Sequence, residues 1–293
     1  MGGERIRLKD LSLDEIRKRA RKLREKIDSQ KQPHPESEKD KFCRENAIAP
    51  VIATICDQDV NADHAFGFPL WLSRQLGKEL SAELIVDVGE REIRQLLKKY
   101  MRGKWPSGIE KERKEQYLRN VPRWIVKTCR KIVEQFDGDP DNMFKEGAYT
   151  SSELYFILTR LDGIGQKKAS MVVRDFIKGT TPWVIGLRER LKEKGIDFRV
   201  EEPEHSSVPV DIDVTRVFCR IMGEKARALR EDILRYYPDI QYFAKMTYPE
   251  FPAKVDDLLW EVGRNYCKGY PPKCEECLLR DLPCEYAKSS STQ

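Results

Sequence analysis

No apolar run in this sequence approaches the roughly 18 residues needed to cross a bilayer, which argues against a helical membrane protein. No secretory leader is expected either, because residues 1–10 are polar and charged and lack an apolar stretch. There is no internal repeat, so a solenoid is excluded, and no low-complexity tract beyond a short Ser-rich C-terminus. Strand-like segments are nearly missing. The best is Phe198-Arg199-Val200, which rules out an all-β architecture. A cytoplasmic or nucleoid location is the expectation, with no membrane partner and a monomeric chain.

What is present is helix and charge. The 293 residues are 40% hydrophobic and 35% charged, enough for a sizeable core under a charged surface. Ser12 followed by Glu15 three positions later predicts a capped helix start, and Ile16, Ala20, Leu23 and Ile27 recur at helical spacing. Further helices are expected over 90–100, 121–136, 152–160 and 167–177, with a linker at 30–40. The fold class is therefore all-α. Net charge is only +5, but residues 92–131 hold thirteen Lys/Arg against four Glu, so this block carries +9 and the remainder −4. Such a block suits a polyanion; it also suits a solvated helical face.

Eight cysteines divide into two groups. Cys43, Cys56, Cys129 and Cys219 are scattered through helical segments. Cys267, Cys274, Cys277 and Cys284 are separated by six, two and six residues and follow a Val255, Leu258, Leu259, Val262 stripe that predicts a core-packed helix. Four thiols this close in sequence can ligate one metal centre, with the Pro271-Pro272 pair stiffening the first loop. Zinc is one reading. The wide outer spacings suit a [4Fe–4S] cluster better than paired zinc knuckles.

Leu161-Asp162-Gly163-Ile164-Gly165-Gln166-Lys167-Lys168-Ala169 reads as a tight turn entering a helix. Gly163 and Gly165 permit a sharp bend and close approach of a ligand, and Ile164 between them can plug the turn into the core. The first amides of the following helix are unpaired and suit a phosphate oxygen.

In order, these segments resemble the endonuclease III superfamily of helix-hairpin-helix DNA glycosylases. Residues 161–169 are similar to its hairpin, and Val210-Asp211-Ile212-Asp213 to the Val-Asp-Thr-His segment bearing its essential aspartate. The last four cysteines resemble its cluster loop, and Gln58 lies where the family has a glutamine that fills the gap left in DNA. The resemblance runs from about residue 41 to 284. It implies a six-helix barrel at 41–180, a cluster domain from 1–40 and 205–293, and a damaged duplex DNA partner with the target nucleotide flipped out.

It also implies roles: Lys167 and Asp211 catalytic; Gln58, Gly163, Gly165, Gln166 and Lys168 on DNA; the four C-terminal cysteines on a [4Fe–4S] cluster. A lysine amine at position 167 can attack the sugar and form a Schiff base, giving glycosylase and strand-nicking lyase activity. Three departures stand out. The last cysteine spacing is six where the family has five, Asp213 replaces His, and 44 positions separate Lys167 from Asp211. The extra segment, 181–207, is expected beside the pocket. Other readings stay open at this point: a monofunctional glycosylase using water, a non-catalytic DNA-binding module, Lys168 as the reacting amine, and Asp211 or Asp213 as a mere helix cap. Trp105 and Tyr117 are either wedges into the base stack or core.

Overall fold

The computed structural model describes residues 11–29, 36–223, 230–268, 272–282 and 284. Pro271 and part of the 30–40 linker lie outside them. Twelve α-helices and two three-residue strands make up the regular structure there, besides short 3-10 turns. Two compact units result. Met1–Pro33 and Glu202–Gln293 form a terminal unit, and His34–Glu201 forms a central unit.

In the terminal unit, α1 (Leu13–Ser29) starts with the Ser12–Glu15 capping box: the Glu15 amide donates to Ser12 Oγ at 3.3 Å and the Ser12 amide to Glu15 at 2.9 Å. Its Ala20, Leu23 and Ile27 are buried with residues of α10 (Ile212–Ile221), α11 (Arg230–Thr247) and α12 (Val255–Asn265). The Val255, Leu258, Leu259, Val262 stripe of α12 is likewise buried, so this helix delivers Cys267 from the core.

The central unit holds α2 (Glu38–Glu45), α3 (Ala49–Cys56), α4 (Ala62–Leu76), α5 (Ala82–Tyr100), α6 (Lys111–Phe136), α7 (Ser151–Thr159), α8 (Gln166–Lys178) and α9 (Pro182–Glu193). Helix α5 is kinked at Gly89, whose φ of 75° only glycine adopts readily; the expected helix at 90–100 is the half beyond that kink. Helix α6 begins at Lys111, ten residues before the expected start, and carries the buried Pro122 inside it.

The 181–207 segment is built into the central unit up to Glu201. Helix α9 lies on α2 so closely that a Cβ on Gly186 would collide with the Arg44 carbonyl. Arg190 reaches the buried Asp141 at 2.7 Å and the Arg44 carbonyl at 2.6 Å. Strand β2 (Arg199–Glu201) then pairs in parallel with β1 (Ala148–Thr150), Ala148 opposite Arg199. Strand β1 leads directly into α7, where Thr150 and Glu153 form a second capping box. Phe198 joins Phe144 and Phe176 at ring separations of 5.3 and 5.2 Å. Burying one such ring contributes roughly 1.5–3 kcal/mol. The extra segment thus braces both helices of the hairpin.

Candidate functional site

The hairpin between α7 and α8 is shaped by its glycines and held from two sides. Gly163 sits at φ 82°, and a Cβ there would meet the Trp124 ring at about 3 Å, so both conformation and space demand glycine. Gly165 is the N-cap of α8 in extended backbone, with open space around it. Ile164 is buried, as its place between the glycines suggests. Gly165 and Gln166 are exposed. The first intrahelical bond runs from the Ala169 amide to the Gly165 carbonyl, so the amides of 166–168 have no partner in the helix ladder. That is the geometry of an anion site at a helix N-terminus.

Helix α6 supplies three further supports that sequence reasoning did not single out. Trp124 packs on Gly163, Thr128 Oγ1 donates to the Asp162 carbonyl at 3.1 Å, and Lys131 Nζ meets both the Arg160 carbonyl and Asp162 Oδ2 at 2.7 Å. Positions 124, 128 and 131 share one helix face, a spacing that could have pointed to them.

Lys168 holds the hairpin from the opposite side. Its side chain is 7% exposed, and Nζ donates to the carbonyls of Ile55 (2.7 Å) and Gly163 (3.1 Å). Burial pulls its pKa from 10.5 down to about 8, against the opposing pull of Asp57. The amine turns inward in the DNA-free protein, where two orphan carbonyls need a donor. Lys167, one step along, is half-buried.

Ile55 belongs to the last turn of α3, so the same contact brings the hairpin beside the loop that carries Gln58. The Gln58 amide donates to the Cys56 carbonyl at 2.7 Å, and Asp59 takes φ 56°. Gln58 is half-buried, and Asn61 rather than Asp57 or Asp59 caps α4. Tyr117 is 3% exposed, its hydroxyl donating to the Cys56 carbonyl at 2.9 Å and its ring edge-on to Trp105 at 5.3 Å. Tyr117 is core.

The basic block is partly spent inside the protein. Arg94, Lys111, Arg113 and Lys131 pair with Glu90, Glu115, Asp59 and Asp162. Arg119, Arg123, Lys127 and Arg130 remain as exposed cations along α6, and Lys98 and Arg102 are exposed at the end of α5.

In the terminal unit, Asp211 is the N-cap of α10. Its Oδ1 accepts from the Asp213 and Val214 amides at 2.8 and 2.9 Å, which fixes the direction of the carboxylate. Asp213, the residue standing in for the family's His, pairs with Arg216 at 2.5 Å, and Arg216 also reaches the Gly263 carbonyl at 3.2 Å. It therefore ties α10 to α12.

Cys267, Cys274, Cys277 and Cys284 border one cavity, along with Arg220. Burial, aided by the neighbouring cysteines, raises the Cys267 thiol and pushes Cys277 up to about 11; Arg220 opposes this at Cys267. A four-thiol donor set on one cavity fits a thiolate-ligated group in chemistry. Among the described residues, however, no three His, Cys, Asp or Glu side chains are disposed as a metal-binding group. Cys43, Cys56 and Cys129 are core thiols pushed up to about 12 by burial. Among the described residues no helix is long and apolar enough to cross a membrane.

No protein-family model matches this sequence, and no curated protein matches it. Solved structures do. A non-covalent endonuclease III–DNA complex aligns with a TM-score of 0.53 at 18% identity, over 97% of this chain and 100% of that one. A trapped endonuclease III–DNA covalent intermediate aligns at 0.52 and 18%, over 96% and 99%. A thermostable thymine-DNA glycosylase aligns at 0.51 and 14%, over 94% and 98%. Across almost its whole length, this chain shares the all-α fold of those solved structures.

Proposed function

We propose that this chain is a base-excision DNA glycosylase with associated lyase activity, acting on duplex DNA that carries a damaged or modified base. The observation that carries the reading is the hairpin itself. Gly163 and Gly165 open the N-terminus of α8 to an anion, and the half-buried Lys167 follows within its first turn. Lys168 donates to two carbonyls inside the protein, and Lys167 is the amine we assign to the chemistry. One relative in fold was trapped as a covalent DNA intermediate.

In this mechanism the hairpin amides bind a backbone phosphate, and Gln58 occupies the space left by the flipped nucleotide. The Lys167 amine attacks C1′; the N–C1′ bond forms as the glycosidic bond breaks, and the base departs with that electron pair. Asp211 is the carboxylate we assign to stabilising positive charge that develops on the sugar, and the amine proton passes to solvent. The nitrogen lone pair then opens the ring, breaking C1′–O4′ as O4′ takes up a proton, and the resulting Schiff base acidifies the 2′ position; loss of that proton expels the 3′ phosphate and nicks the strand. Cys267, Cys274, Cys277 and Cys284 would hold a [4Fe–4S] cluster, whose contribution when bound is to cross-link and order the C-terminal loop.

The test is a panel of duplexes with one lesion each, scored for base release and for borohydride-trapped adduct. Release with trapping supports the reading. Release without trapping on any lesion means that water is the nucleophile, and absence of release across the panel refutes the glycosylase assignment.

A further inference from the structure

A buried ammonium that donates to two backbone carbonyls is unusual, because burial penalises the charge. Here the carbonyls come from segments far apart in sequence. Ile55 lies in the last turn of α3, where orphan carbonyls carry the negative end of the helix dipole, and Gly163 lies in the turn of the hairpin. Tyr117 satisfies the next carbonyl of α3, that of Cys56. Gln58 stands two residues beyond, in a loop whose backbone turns at Asp59. Asp57, Cys56, Lys167 and Asp59 are the ionisable groups that face Lys168; burial outweighs all of them and sets its pKa at about 8.

We propose that Lys168 is a positioning residue whose ammonium fastens the hairpin to the Gln58 loop, so that both engage duplex DNA as one unit. The proposal rests on the reading above that these two segments contact DNA. The physical reason is directional. A charged donor bonds the two carbonyls about twice as strongly as a neutral amine would. Burial opposes that charge, so on balance the fastened state is favoured as the proton is lost.

Two measurements test it. In the DNA-free protein, Lys168→Met should raise amide hydrogen exchange in residues 57–61 and 161–166 together, by about tenfold or more. Raising the pH of the wild type from about 7 to 9.5 should lower exchange in both segments, after correction for intrinsic exchange, because a depressed pKa favours the fastened state as the proton is lost. In single-turnover excision near pH 7, the wild-type to Lys168→Met rate ratio should exceed about tenfold. A role confined to global stability predicts exchange that rises alike throughout the central unit. Exchange that rises in neither segment, or in only one, overturns the proposal, as does a rate ratio near one. If the wild type releases no base, the glycosylase reading fails and hydrogen exchange alone decides Lys168. If Lys168→Met does not fold, the wild-type pH series decides it.

Discussion

Lys168 also gives the sharpest quantitative expectation for stability. Its pKa is about 8 in the fold against an ordinary 10.5, with burial the leading cause. Because the folded value is depressed, the unfolded chain holds more protons between those limits. Stability contributed by this group therefore rises as pH increases from about 8 to 10.5 and is flat on either side. Applied to one titrating site, the linkage gives a gain of about 2 kcal/mol between pH 7.5 and 9.5. Lys168→Met keeps most of the volume and removes the titration. It relieves the cost of a buried charge but strips a donor from two carbonyls, at about 1–3 kcal/mol each. The neutral-pH difference between the proteins is thus a small residue of larger opposing terms, whereas its pH dependence is unambiguous. Urea unfolding at fixed ionic strength, across a pH series, should show wild type gaining about 2 kcal/mol on Lys168→Met from pH 7.5 to 9.5. Parallel stability curves would mean that Lys168 titrates normally and that its burial has been misjudged.

Three further outcomes are expected. Gly163→Ala forces a Cβ into a left-handed conformation against Trp124, and should cost about 2–5 kcal/mol in denaturant unfolding, whereas Gly165→Ala, with open space around it, should cost little stability and reduce duplex affinity. Duplex binding should weaken steeply with salt, and charge reversal at the exposed Lys98 and Arg102 should weaken damaged and undamaged duplex alike; an affinity flat in salt would return the basic face to mere solvation. The purified protein should be yellow-brown and bleach on reduction or iron loss, with Cys274→Ser removing the colour; a colourless protein holding one zinc per chain would replace the iron–sulfur assignment.

Local chemistry was the legible part of this sequence. The Ser12–Glu15 capping box, the α12 stripe and the hairpin glycines each depend on neighbours a few residues away, and such short-range rules survive folding. Helix α6 starts ten residues before the expected 121 and buries Pro122 in mid-helix, where tertiary packing overrides propensity. The inward turn of Lys168 depends on Ile55, 113 residues away, and no local pattern signals an orphan carbonyl at that distance. Tyr117 was ambiguous for the same reason: its partner carbonyl at Cys56 is 61 residues upstream. The extra segment, expected beside the pocket, packs into the central unit: Trp183, Leu187 and Phe198 turn inward and Arg190 reaches Asp141, contacts with distant residues that no local pattern announces. Asp211 joins two of the sequence readings, since a cap at the start of α10 is also a carboxylate of fixed direction.

The central claim is that the amine of Lys167 becomes covalently attached to DNA. On a lesion that the protein excises, borohydride should trap an adduct that peptide mapping places on Lys167. Lys167→Ala should abolish it, and Asp211→Asn should slow base release severely while leaving affinity for the damaged duplex largely intact. An adduct that survives Lys167→Ala, or maps to Lys168, contradicts the account.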